Sequence, residues 1–179
     1  MDTDVFISRY KTDDPYHAEA YAITNALERG EIKAETSVLT LLEAASVASR
    51  MYHARKKEIA ETQERRGAFV LKLLGRLAGL KVKFINLSGD VPVAVPGVEA
   101  NVPRILNEAT LLSLEAPLRS LDLIHLAAAK NGKEMNPELG AFVTGDGELL
   151  ARKEELSRII RIPILSPSEY RKGLGLKTY

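Results

Sequence analysis

The sequence predicts one α/β domain, and three observations carry that expectation. Amphipathic helical segments alternate with short apolar runs, and the C-terminal third reads strand, turn, helix, strand, the order of a βαβ unit. The 179 residues suit one domain able to bury a two- or three-layer core. With 45% hydrophobic and 27% charged residues, the chain has enough apolar surface to offset the entropy of ordering.

In order along the chain, Asp2 and Asp4 stand directly before the apolar run Val5-Phe6-Ile7. Asp13-Asp14-Pro15 starts a helix expected to run through Leu27, with Gly30 as its stop. From Thr36 to about Tyr52, Val38, Leu39, Leu41, Leu42, Ala45 and Ala48 recur at helical spacing, which predicts a substantially buried helix with Glu43 inside it. A charged amphipathic helix follows to Leu80, its apolar stripe formed by Phe69, Val70, Leu73, Leu74 and Leu77. Lys81 to Leu87 alternates like a strand, and the Pro-rich stretch Val91 to Gly97 reads as a loop.

Asn101 and Pro103 open a helix carrying Ile105, Leu106, Ala109, Leu112 and Leu114, and Ser120 caps the next, Leu121 to Lys130, ended near Gly132. Ala141 to Thr144 is a short strand, Gly145-Asp146-Gly147 turns, Glu148 to about Arg158 is helical, and Ile162 to Leu165 is an edge strand. Lys172 to Tyr179 reads as a frayed tail.

With no cysteine, the chain has no disulfide, zinc ribbon or thiol nucleophile, and three histidines leave little for zinc. No basic-then-apolar leader opens it and no apolar stretch approaches the roughly 20 residues of a bilayer span, so a cytoplasmic protein without membrane contact is expected. The net charge of +1 hides a basic segment: Arg50, Arg55, Lys56, Lys57, Arg65, Arg66, Lys72 and Arg76 stand against Glu58, Glu61 and Glu64. Such a segment attracts phosphates without regard to sequence, but charge pairs at helical spacing and a solvated helix face explain it equally well.

Four carboxylates attract attention for their settings. A glutamate within an apolar helical face, Glu43, needs a partner for its charge unless it lies on the solvated side. Asp122, in the first turn of its helix, is favoured by the dipole and expected to stay ionised at neutral pH. Asp146 leaves the end of an apolar strand between two glycines, where open α/β sheets place their sites and where turn chemistry also favours Asp. Asp2, with Asp4 beside it, sits at the start of the chain.

In order, these blocks resemble the motifs of PIN-domain ribonucleases, the family of VapC-type toxins. Asp2-Thr3-Asp4-Val5-Phe6-Ile7 is similar to the opening D-T-N-x-L-I pattern, and Ser37 to Glu43 to the second acidic block. Asp122-Leu123-Ile124-His125-Leu126-Ala127 resembles the D-x-x-H-L-A helix, and Thr144-Gly145-Asp146 the T-x-D strand end. The resemblance implies a three-layer α/β/α sandwich around a central, mainly parallel sheet, with residues 50–118 carrying a helical and loop elaboration of a single 1–179 domain. It implies a metal-dependent ribonuclease, with Asp2, Glu43, Asp122 and Asp146 as catalytic metal ligands. Asp4, Thr144 and Glu148 would be auxiliary groups, Thr144 orienting a carboxylate or water. All-carboxylate ligation suits Mg²⁺ or Mn²⁺, and two such ions cut phosphodiesters. RNA is the implied substrate, an antitoxin and a homodimer the implied partners. His125 is expected to pack or hydrogen-bond rather than ligate, and His17 and His53 have no local support.

Two departures from the pattern stand out. Only Met1 precedes Asp2, so the strand before the first aspartate is missing or shortened, and Asp4 replaces the usual Asn or Ser. Two further readings stay open. A PIN scaffold that binds RNA or protein without cutting is one. The other takes Asp2-Thr3-Asp4 as the nucleophile and acid of haloacid-dehalogenase-like phosphatases, which leaves Glu43 and Asp122 unexplained.

Overall fold

The computed structural model describes residues 1–54, 63–85, 89–93, 97 and 99–176. The architecture is mixed α/β, with nine helices among the described residues and short strands in two-stranded sheets, two of them parallel. No helix among the described residues is long and apolar enough to cross a membrane.

Residues Thr3–Ser8 form α1, with Asp2 as its N-cap, so the apolar run after the first carboxylates is a buried helical turn. Helix α2, His17–Arg29, starts later than Asp13 because Asp14 turns the chain first, its Oδ1 accepting the Tyr16 N–H at 2.9 Å. Gly30 ends α2 with φ 75°, a conformation open to glycine.

The next segment corrects the sequence reading. Ala34–Ser37 is a strand, β1, and the helix α3 runs Leu39–Ala54, so Thr36 and Ser37 belong to the strand. Nor is α3 buried all round: Thr40, Ala44 and Ala48 face inward while Leu42 is 65% exposed. Helix α4, Gln63–Ala78, packs Leu73 and Leu77 against α3 and α1, and β2, Val82–Ile85, pairs parallel to β1 with Ala34 opposite Val82. Arg55, Lys56, Lys57, Asn86, Leu87 and the pairs expected of Glu58, Glu61 and Glu64 lie outside the described residues.

Part of the expected Pro-rich loop is also a strand. Asp90–Pro92, β3, pairs antiparallel with Asn101–Pro103, β4, and the prolines are accommodated in a pair with free edges. Consequently α5 begins at Arg104 rather than Asn101, and runs to Glu115.

Helix α6, Ser120–Met135, passes Gly132 without stopping, because this glycine serves packing: a Cβ there would lie 2.8 Å from Ile85 Cδ1 of β2. Its cap position is held by Arg119, not Ser120, and makes no side-chain cap bond. Strand β5, Phe142–Val143, pairs parallel with β6, Ile164–Leu165. Between them the expected single helix is two, α7 (Gly147–Ala151) and α8 (Lys153–Ile160), broken at Arg152. The expected tail begins inside α9, Pro167–Gly173, which Ser166 and Glu169 close with a reciprocal capping box and which packs on α2; residues 177–179 lie outside the described residues.

Met1 and Asp2 join the two parallel pairs. The Met1 amino group donates to Glu35 O of β1 at 2.9 Å, and Asp2 N–H donates to Val143 O of β5 at 2.9 Å. Residues 1–2 thus bridge β1 and β5 by one hydrogen bond on each side without forming a regular strand. This bridge carries Asp2 to the ends of β1 and β5, where α3, α6 and α7 begin.

Candidate functional site

Five carboxylates from four chain segments line one open cleft of about 710 Å³: Asp2 and Asp4 at the start of α1, Glu43 on α3, Asp122 on α6 and Asp146 at the cap of α7. Each element brings its carboxylate for a local reason. Asp2 caps α1 and accepts Thr3 N–H at 2.7 Å, while its other oxygen takes the Thr144 hydroxyl at 2.8 Å. Asp146 caps α7, its Oδ1 accepting the backbone N–H groups of Glu148 and Leu149 at 2.8 and 3.1 Å. Capping is thus part of what Asp146 does, and its Oδ2 remains turned to the cleft side, toward Arg119.

Glu43 is half-buried and held on both sides. The Thr3 hydroxyl donates to Oε2, and His125 Nε2 lies 2.6 Å from the same oxygen. Burial alone would raise its carboxyl, yet the bonds from His125 and Thr3 outweigh that and hold it below the ordinary glutamate value. In the matching direction, burial lowers His125 but the Glu43 bond and the Asp2 and Glu43 charges lift it above its ordinary value. Each group thus favours the charged form of the other, and His125 is buried against Glu43, 3% exposed. The sharing of Oε2 between Thr3 and His125 is a side-chain link across α1, α3 and α6.

Asp4 differs from the rest. Its Oδ2 accepts Gly145 N–H at 2.5 Å and lies 3.4 Å from the Thr144 hydroxyl, but its Oδ1 is buried without a partner among the described residues. Burial, with the Asp2 charge added, pushes this carboxyl up to about 8, against the pull of the Gly145 and Val5 amides. A Cβ on Gly145 would come within 2.9 Å of Asp4 Oδ2, so glycine here permits the contact.

Asp122 stands at the mouth of the cleft, in the first turn of α6. Burial raises its carboxyl above the ordinary value, the charges of Asp146, Asp2 and Glu148 act in the same sense, and Arg119 opposes them. The helix start does not outweigh desolvation in a crowded acidic mouth. Arg119 bridges three carboxylates: Nε reaches Asp122 Oδ2 at 3.2 Å, and Nη2 reaches Asp146 Oδ2 at 3.0 Å and Glu148 Oε2 at 3.3 Å.

Oxygen donors dominate this cleft, as a hard cation requires. Asp2, Glu43 and His125 each present an atom within 4.8 Å of the others, and the partnerless Asp4 Oδ1 is a further buried donor. Asp2, Glu43 and His125 could therefore hold a metal ion. His125 Nε2 is engaged with Glu43 and serves such a set by orienting a carboxylate.

Of the residues singled out from sequence, Asp2, Asp4, Glu43, Asp122 and Asp146 share the cleft, Thr144 stands behind Asp2, and Glu148 reaches it through Arg119. His17 lies apart, its Nδ1 2.8 Å from Ser8 O, and His53 lies beside Arg66. Within the basic segment, Arg50 alone among the described residues lines the cleft, so a continuous basic face leading to it is not formed there. Thr3 and Arg119 were missed. Thr3 lay inside the first motif, whereas nothing local distinguishes an arginine before a helix.

Comparisons with protein-family models, curated proteins and solved structures find no match for this chain.

Proposed function

We propose that this chain is a metal-dependent ribonuclease of the PIN type, hydrolysing RNA phosphodiester bonds. The observation that carries the reading is the convergence of Asp2, Glu43, Asp122 and Asp146 on one cleft from positions 144 residues apart at the extremes. Chance convergence of four acids from separate elements is disfavoured by their mutual repulsion, and a cation removes that cost.

The fold supports the same reading. With Met1 and Asp2 bonded to β1 on one side and β5 on the other, the two parallel pairs read as one sheet in the order β2, β1, residues 1–2, β5, β6, covered by helices in a three-layer arrangement.

In this account Asp2, Glu43, Asp122 and Asp146 would hold the ion. The chemistry a Mg²⁺ or Mn²⁺ ion would supply there is activation of water at neutral pH and neutralisation of charge at the phosphodiester. Thr144 fixes the Asp2 carboxylate through its 2.8 Å bond, and Thr3 and His125 fix Glu43. Lys11 and Arg50, both lining the cleft, draw the phosphate backbone toward it.

The test is cleavage of an end-labelled single-stranded RNA with Mg²⁺, Mn²⁺ or EDTA, beside Asp122→Asn. Cutting that needs metal and is lost in the variant supports the proposal. An intact RNA that still binds the protein points to a scaffold that does not cut.

A further inference from the structure

We infer that Arg119 is a positioning residue that occupies the Asp122 and Asp146 carboxylates in the free protein and yields them to a divalent cation, coupling cation uptake to phosphodiester binding through one side chain. The inference rests on the metal-centre reading above and assigns a role that reading does not itself require.

The geometry makes the guanidinium and a cation competitors for the same atoms. Asp146 Oδ1 is committed to the backbone amides of Glu148 and Leu149, so Oδ2 is the oxygen left for a ligand, and Arg119 Nη2 sits 3.0 Å from it. On Asp122 the contacted oxygen is again Oδ2, 3.2 Å from Arg119 Nε. A cation ligated by Asp146 through its free oxygen would therefore meet it where the guanidinium now does, beside the Asp122 oxygen that Arg119 also contacts.

The contact is also built to exchange. Arg119 is 66% exposed in its side chain, and ion pairs so open to water are screened and weak. Its backbone, by contrast, is fixed: the Arg119 carbonyl accepts Leu123 N–H at 3.0 Å, and Arg152 Nη1 holds the Pro117 carbonyl at 3.2 Å. The side chain therefore swings from a fixed pivot at the mouth of the cleft. Once displaced, its planar fork of donors suits a phosphate, whose binding in turn keeps it off the carboxylates. Arg50, in the same cleft, donates to Ser46 at 2.7 Å and has no such competing role.

The experiment is calorimetric titration of MnCl₂ into wild type, Arg119→Ala and, as a control outside the cleft, the exposed α4 variant Lys72→Ala, each with and without a phosphorothioate oligothymidylate as the phosphodiester probe. Arg119→Ala is expected to bind Mn²⁺ roughly five- to tenfold tighter, the effect of removing one screened charge and its contacts. The probe is expected to tighten Mn²⁺ binding in wild type and Lys72→Ala but not in Arg119→Ala. Equal tightening in both variants would reduce Arg119 to a background charge, and no change in Arg119→Ala would remove its role altogether; either overturns the inference and leaves the metal centre standing. Absence of Mn²⁺ binding in all three proteins overturns the metal-centre reading and this inference with it.

Discussion

His125 Nε2 lies 2.6 Å from Glu43 Oε2, tying the middle of α6 to the first half of α3 directly beside Asp2. The pair fixes the orientation of a carboxylate that α3 alone would leave free to turn, since Glu43 is only half-buried. In the Glu43→Gln variant the His125 imidazole should titrate lower than in wild type, as followed by its ring-proton NMR shifts. Loss of either charge should cost about 2 kcal/mol of stability. The sign follows from linkage. The raised His125 contributes fully below its unfolded value of 6.5 and loses its contribution as pH rises through the higher folded value. The lowered Glu43 contributes fully above 4.5 and loses its contribution as pH falls through the lower folded value. The pair's contribution, measured as the melting difference from Glu43→Gln, should therefore peak between these limits; a difference flat from pH 4 to 9 would remove the ion pair.

Asp4 makes the opposite prediction. Its carboxyl, raised from 3.8 to about 8 by burial and by Asp2, favours the folded state most when protonated. That advantage is complete below pH 3.8 and disappears as pH rises through 8. Asp4→Asn keeps an oxygen for the Gly145 amide but removes the charge. In metal-free buffer the variant should melt above wild type at pH 8 and close to it at pH 3.5. Equal melting at both values would show that Asp4 ionises freely.

Much of the helical framework was legible, because α2, α4 and α6 bury one periodic stripe or more. The four carboxylate positions were legible as well, since each stands at an element boundary or within an apolar helix. Strand β1 was not: Ala34-Glu35-Thr36-Ser37 has no apolar alternation, and it is held by pairing to β2 and by Met1 rather than by its own pattern. Helix α9 carried a readable signal in Ser166-Pro167-Ser168-Glu169, a capping box with proline at the first helical position. The ties of Arg119 and Thr3 were not legible, because both depend on residues far away in the chain.

Gly132 shows why a stop signal can mislead. It lies inside α6 to let Ile85 of β2 approach, so Gly132→Ala, despite improving helix propensity, should destabilise by about 1–2 kcal/mol through overpacking. Ile85→Val removes the obstructing Cδ1, and the double variant should recover much of that loss. A Gly132→Ala protein as stable as wild type in urea would contradict the close packing.

Arg161 ends α8 with φ 59°, the one positive φ outside glycine among the described residues. Glycine holds this conformation without the Cβ penalty. Arg161→Gly should therefore stabilise the protein by about 0.5–1 kcal/mol, read as a higher urea midpoint; a lower midpoint would mean that the arginine side chain contributes more than the strain costs.

The proposal that Asp2, Glu43, Asp122 and Asp146 form one metal centre is tested most directly by locating the ion. Crystals equilibrated with Mn²⁺ should show anomalous density in the cleft, within coordination distance of Asp2 and Glu43, with Arg119 drawn away from Asp122 and Asp146. Manganese bound only elsewhere, with the Arg119 bridge unchanged and the cleft empty, would contradict it.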